Sequence, residues 1–449
     1  MRYITLLLAA VCVSAAAFSQ TTLTLEQSQT LALKNNKAYK NTALEIEAAR
    51  EMQQNAYTNY FPKVSANVFG MQAIDPLVKF KMDGGNLPVY DGNPANLASA
   101  TQFAYFPGMD LRMMQRTAAG VLNIAQPLYT GGRLTTGNQL ATLNVDVKEK
   151  QQQLSQNEVL LKVEQQYWQL ISLQEKQKTL EKYEVLLNDV RRQVDDAHKA
   201  GLIIKNDVLK VQIKQSEFAA NKNKLQNGKK LATMQFCQTI GIVYDSTLAL
   251  QETPDISRNP MAYYVNHGGA LTNRTEYKLL EKSVEAAQLQ TKMKKGEYMP
   301  TAALGLAGYH LNFLESGTKN FTNGLAYVSV SVPISDWWGG SHSIKESKIK
   351  EQITANSFED TKGLLTLQME KAWTDLNEAW KQIAIIKQTA IQAEENLKVS
   401  QSGYASGLVT LSDLLEAQAL VTETANKLTE AQTQYKLAVT TYLQVTGRK

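Results

Sequence analysis

Gly201-Leu202-Ile203-Ile204-Lys205-Asn206-Asp207-Val208-Leu209 returns 206 positions later as Gly407-Leu408-Val409-Thr410-Leu411-Ser412-Asp413-Leu414-Leu415. Glycine, leucine, aspartate and the closing leucine keep their places. Phe236, Gln238 and Gly241 match Tyr442, Gln444 and Gly447 at the same offset. Upstream, Glu47-Ala48-Ala49, Pro62 and Gly70 match Glu285-Ala286-Ala287, Pro300 and Gly308, each pair 238 positions apart. Gln126-Pro127 leads to Gly131-Gly132 as Val332-Pro333 leads to Gly339-Gly340, with two extra residues in the second copy. Matches that keep their order over a whole chain mark a tandem duplication, so one structural plan is built twice.

The plan begins with helices. No proline interrupts Gly132 to Gly201 or Gly340 to Gly407. Leu180, Tyr183, Leu187, Val190 and Val194 follow alternating three- and four-residue spacing, as do Met369, Trp373, Leu376, Trp380 and Ile383. That is the period of a coiled coil, and helices of about 65 residues would reach on the order of 100 Å. At the far end the chain must reverse. Glycine accepts the left-handed cap that such a reversal needs. Asn206 and Ser412 are expected to supply capping oxygens to the returning helices, with Asp207 and Asp413 in the first turn.

Strands follow from a different period. The segments 62–70, 118–129, 300–312 and 323–334 read as strands. Tyr327, Ser329 and Ser331 alternate with Val328, Val330 and Val332, the polar-in, apolar-out pattern of a membrane strand. Tyr129 and Trp337-Trp338 are expected at the ends of the second strand of each pair, where an interfacial aromatic girdle would sit. The Gly-, Pro- and Asn-rich segment 71–117 reads as a long loop whose Phe103, Tyr105 and Phe106 could fold back. One chain thus offers four strands, and open sheet edges are not tolerated in lipid. Closed barrels start near eight strands and are then filled by side chains, so a passage points to three copies and twelve strands.

The rest of the sequence narrows the class. Arg2, the apolar run Ile4 to Val13 and Ala15-Ala16-Ala17-Phe18-Ser19 read as a secretory signal peptide cut before Gln20. Val11 is too bulky before Cys12 for a lipid-attachment site. Removing residues 1–19 leaves Cys237 alone, so no intrachain disulfide forms. His198, His267, His310 and His342 lie far apart, with no metal-ligand spacing. No phosphate loop, nucleophile elbow or H-E-x-x-H helix occurs. With 47 basic and 42 acidic residues mixed along the chain, the net charge of +5 gives no nucleic-acid patch. No stretch after the signal is apolar enough for a transmembrane helix. No catalytic residue, cofactor or metal is expected.

Along nearly its whole mature length the sequence resembles the TolC family of outer-membrane efflux proteins. The resemblance rests on the duplicated helix–strand–strand–helix plan, the proline-marked strand ends, the Gly-Gly strand-to-helix turns and the two G-L-x-x-x-x-D-[VL]-L turns. It implies a mainly α protein with a small β part. Long antiparallel coiled-coil helices would form an α-barrel, and four strands per protomer would join a shared 12-stranded transmembrane β-barrel of a homotrimer. Residues 20–449 would be a single protomer of two repeats, 20–241 and 242–449. Belt segments would lie near Thr22 to Asn36, Ile242 to Thr275 and the chain's end. The implied location is the cell outer membrane, with a long periplasmic extension.

The implied partners are a periplasmic adaptor, an inner-membrane RND or ABC transporter, and outer-membrane lipid. Gly201, Leu202, Gly407 and Leu408 would form the tip that the adaptor engages. Asp413 and Glu416 would ring the narrowest point, with Tyr404 and Asp207 in its latch. Val409 departs from the family, whose best-studied members carry a latching basic residue there. A periplasmic coiled-coil adaptor or scaffold without a barrel is the competing reading.

Overall fold

The computed structural model describes residues 22–254, 256–314 and 320–448; the expected signal peptide lies outside them. Helices α1 (Leu25–Asn35), α2 (Lys37–Thr58), α3 (Arg133–Lys199), α4 (Lys205–Ile240), α5 (Thr275–Glu297), α6 (Trp337–Ala405) and α7 (Leu411–Val445) carry most of the chain. The long strands are β2 (Lys63–Gln72), β7 (Arg116–Tyr129), β9 (Thr301–Phe313) and β10 (Phe321–Ser331). Shorter ones are β1 (Thr22–Leu23), β3 (Val78–Met82), β4 (Gly85–Pro88), β5 (Phe103–Phe106), β6 (Met109–Met113) and β8 (Ala249–Leu250). The chain forms two compact units. Arg50–Thr142 with Ala286–Glu351 holds the sheet; the described part of Met1–Ala49, with Leu143–Glu285 and Gln352–Lys449, is helical.

In the strand unit, β2, β7, β9 and β10 lie side by side and antiparallel in that order. Because side chains alternate across a sheet, register sorts them onto two faces. Val64, Ile124, Leu306 and Ala326 are neighbours across the four strands on one face. Ser65, Asn123 and Ala307 are neighbours on the other. The apolar face is bare: Val64, Val68, Leu122, Leu306, Val328 and Val330 are all exposed, Val68 by 85%. On the polar face the Tyr327 hydroxyl reaches across β9 to donate to Asn123 Oδ1 at 3.0 Å. The ring crosses at Gly305, where any Cβ would lie 2.1 Å from it. Glycine at that position is what allows the tyrosine to lie flat.

The second strand pair ends sooner than its pattern suggested. Residues 332–334 lie outside β10, and Trp337 and Trp338 open α6 instead of ending a strand. Gly339 and Gly340 therefore sit inside the first helical turns, whereas Gly131 and Gly132 form a true turn with φ of 65° and 79°. A proline (Pro333) four residues ahead of the helix start at Trp337 stops the strand and frees the chain to coil. The segment 71–117 is no open loop. It folds into an antiparallel ribbon, β3 on β6 and β4 on β5. Val78, Phe80, Met82, Met109, Leu111 and Met113 share one face of its first ladder, and Lys79, Lys81, Asp110 and Arg112 share the other.

In the helical unit the coiled-coil stripes find their partners. Leu187, Val190 and Val194 are buried, with Leu180 and Tyr183 packed beside them. Met369, Leu376 and Ile383 are buried as well. Trp373 packs its ring 4.9 Å from Tyr264 and 5.3 Å from Tyr442, and Trp380 lies 5.2 Å from Tyr435. Burying a large aromatic contributes roughly 2–3 kcal/mol. The first repeat builds its core around Tyr167, Trp168 and Phe236. There β1 pairs in parallel with β8, and Tyr167 donates to the Leu23 carbonyl at 3.2 Å. Burial and the nearby Glu252 carboxylate push the Tyr167 phenol up to about 12.

His267, which the sequence leaves without a role, is buried between Glu370 Oε1 at 2.8 Å and the Tyr442 hydroxyl at 2.9 Å. Arg274 is 2% exposed and donates to the Leu365 carbonyl at 3.1 Å, to Gln368 and to Glu276. Most buried polar groups in proteins are paired in this way.

Candidate functional site

Two helix hairpins end in the same turn. After α3 the Leu202 amide donates to the Ala197 carbonyl and the Gly201 amide to His198; after α6 the Leu408 amide donates to Gly403 and the Gly407 amide to Tyr404. Gly201 and Gly407 both sit at φ 72°. This is the paired bonding of a Schellman cap, which satisfies the last helical carbonyls and needs a left-handed residue. The leucine that follows has no core to enter, so Leu202 is 78% exposed and Leu408 85%. Both hairpin turns therefore present an exposed leucine beside a left-handed glycine.

The returning helices start differently from the sequence expectation. Helix α7 is capped by Thr410, whose hydroxyl and amide bond Asp413 at 2.7 and 3.3 Å while the Asp413 amide donates back at 3.2 Å. Ser412 lies inside the helix and plays no capping part. Helix α4 follows Ile204, which has no side chain to offer, and Asn206 is not its cap. The reason is position: each helix begins one or two residues before the polar residue that the pattern favoured. Asp413 thus serves as the acid of a capping box, worth about 1 kcal/mol.

Asp413 and Glu416 are exposed, whereas Leu411, Leu414, Leu415, Ala417 and Gln418 are buried. The two carboxylates therefore share the outward face of α7 at helical spacing. The buried leucines join Leu187, Val190 and Val194 of α3 and Val211 and Phe218 of α4 in one cluster. Both repeats thus meet at this end, and the carboxylates stand on a rigid support.

Tyr404 is half-buried against that cluster. Burial first, and then the Asp207 carboxylate, push its phenol above the ordinary tyrosine range. Tyr404 and Asp207 are near enough to feel each other, yet Asp207 binds Lys210 at 3.2 Å. Val409 is used for packing: a Cβ at Gly403 would lie 2.4 Å from Val409 Cγ2. The Gly403 carbonyl takes both the Leu408 and Val409 amides, at 2.8 and 3.2 Å. Gly403 is the tip residue that sequence reasoning missed. A glycine three residues before Ser406-Gly407 was the available signal.

The aromatic group belongs to the strand unit. Tyr129 ends β7 and is exposed; Trp337 donates its indole N–H to the Tyr298 carbonyl at 2.9 Å; Trp338 is 81% exposed. No cluster of His, Cys, Asp or Glu able to hold a metal occurs among the described residues. No described helix is long and apolar enough to cross a membrane.

Residues 268–448, most of the second repeat, match the family described as "Outer membrane efflux protein". The chain is similar to the outer membrane efflux protein BepC of Brucella suis, with 22% identity over 73% of this chain and 71% of the relative. Its fold is that of solved outer-membrane channels. The Campylobacter jejuni channel CmeC superposes with a TM-score of 0.76 at 12% identity, covering 94% of this chain and 85% of the other. The Vibrio cholerae outer membrane protein VceC gives 0.73 at 15% identity, covering 94% and 96%.

Proposed function

We propose that this chain, an outer membrane efflux protein, closes with two further copies into a passive duct through the outer membrane. One observation carries the reading: a four-stranded sheet whose two outer strands, β2 and β10, have a neighbour on one side only among the described residues, with a largely exposed apolar face. Lipid cannot satisfy a sheet edge, and water does not favour such a face. Pairing β2 of one copy with β10 of the next removes both problems. Three copies then supply twelve strands, with the polar face of Ser65, Asn123 and Tyr327 toward water.

Helix α3, about 100 Å long by its residue count, would supply the reach of the periplasmic extension. A periplasmic adaptor would dock on Leu202 and Leu408, and an inner-membrane RND or ABC transporter would supply the energy. Asp413 and Glu416 would face the axis as stacked rings of three carboxylates, attractive to cations. Opening then requires the hairpin ends to move apart. On this reading the work is conduction rather than chemistry. A soluble coiled-coil scaffold, the competing reading, gives the bare apolar sheet no purpose.

The test is fractionation followed by reconstitution. The mature protein is expected in the outer-membrane fraction, extracted only by detergent, and to carry discrete ion-conducting steps in planar bilayers. Recovery in the soluble periplasmic fraction, with silent bilayers, would support the scaffold instead.

A further inference from the structure

Where its helices meet its sheet, the strand unit has an open cavity of about 480 Å³. Its walls are apolar, from Ala56, Ala125, Pro127, Leu134, Met293 and Ala303. Two cations line it, Lys63 at the start of β2 and Arg133 at the start of α3. Neither forms an ion pair among the described residues; Arg133 gives only its Nε–H to the Thr130 carbonyl at 3.2 Å. The size falls within the roughly 300–1,000 Å³ of small-molecule sites, which pair apolar walls with a few convergent polar groups.

Register locates the cavity on one face of the sheet. Lys63 is opposite Ala125, and Pro127 is opposite Ala303. These positions share the parity of Asn123 and Tyr327, so the cavity opens on the polar face and away from the bare apolar one.

Gly137 points the same way independently. It lies in the second turn of α3 and lines the cavity. A Cβ there would meet nothing within 4 Å, so close packing does not require glycine. An interior helical glycine costs about 1 kcal/mol relative to alanine. What its missing side chain preserves is open volume beside Arg133.

We propose that this cavity is a binding site, on the duct's inner wall, for amphipathic organic anions: a carboxylate or sulfonate between Lys63 and Arg133, with its apolar body against Leu134, Pro127 and Met293. The assignment rests on the reading of the polar face as the duct lining. It names a substrate class that the duct would favour. Such a site holds its guest weakly, since a conduit must also release it.

The probe is 2-naphthalenesulfonate, titrated calorimetrically into the full protein in lipid nanodiscs, with empty nanodiscs as reference and 2-naphthol as the uncharged comparison. Saturable binding of one anion per protomer is expected. Lys63→Gln and Arg133→Gln should each weaken it about tenfold, the loss of one charge-assisted contact. Gly137→Leu should abolish it by filling the space, while raising helix propensity so that folding is kept. Equal affinity in the Lys63→Gln/Arg133→Gln double variant, no saturable binding, or equal binding of the uncharged naphthol would each overturn the site. The same preparation is assayed for conductance in planar bilayers. Conduction without anion binding removes this site alone; binding without conduction removes the duct reading, and the site's role in export with it.

Discussion

Cells carrying Gly407→Trp should lose export completely while the protein still reaches the membrane as an intact assembly. Gly407 sits at φ 72° in an exposed turn whose next residue, Leu408, is 85% exposed. An L-residue in that left-handed conformation costs roughly 1–2 kcal/mol. That strain is local and small beside the buried cluster of Leu187, Leu414 and Phe218 that holds the hairpins. The indole, by contrast, stands where an adaptor's apolar surface would close on Leu202 and Leu408. Resistance to exported compounds should fall to that of a deletion strain, with unchanged protein on membrane immunoblots. Export at the wild-type level would show that nothing docks at this turn. Gly407→Ala serves as control: the same strain without the bulk, and export largely retained.

The second large effect concerns charge at the same end. Replacing Asp413 by Asn and Glu416 by Gln should raise single-channel conductance severalfold and bring the cation-to-anion permeability ratio close to one. Asparagine and glutamine are chosen because Asp413 also caps α7 through Thr410. Alanine would remove the cap along with the charge, confusing about 1 kcal/mol of helix stability with gating. Both carboxylates are exposed on a face whose other side is buried leucine, so amides of the same shape leave the packing untouched. Unaltered conductance and selectivity would take both residues out of the constriction.

Periodicity made the large elements legible. A three–four stripe over Leu180 to Val194 can be satisfied only on a helix, and the alternation from Tyr327 to Ser331 only on a strand. The glycine turns were legible because Gly201 and Gly407 occupy a conformation that few other residues accept. Features set by contact across long sequence distances were not. His267 meets partners 103 and 175 positions away, and Lys63 and Arg133 line one cavity from separate elements, so no local pattern announces them.

Boundaries failed for a local reason. Thr410 and Ser412 are both good caps, and only the start of the helix chooses between them. Trp337-Trp338 after Pro333 can end a strand or open a helix. The ladders within 71–117 are four or five residues long and flanked by glycine and proline, too short for alternation to stand out.

What all this depends on is the sheet's two free edges. Native mass spectrometry of the detergent-extracted mature protein counts the copies directly. Three protomers per particle, dissociating only on heating, is the predicted result. A monodisperse monomer that stays folded without detergent would contradict it, because β2 and β10 would then have to be stable unpaired.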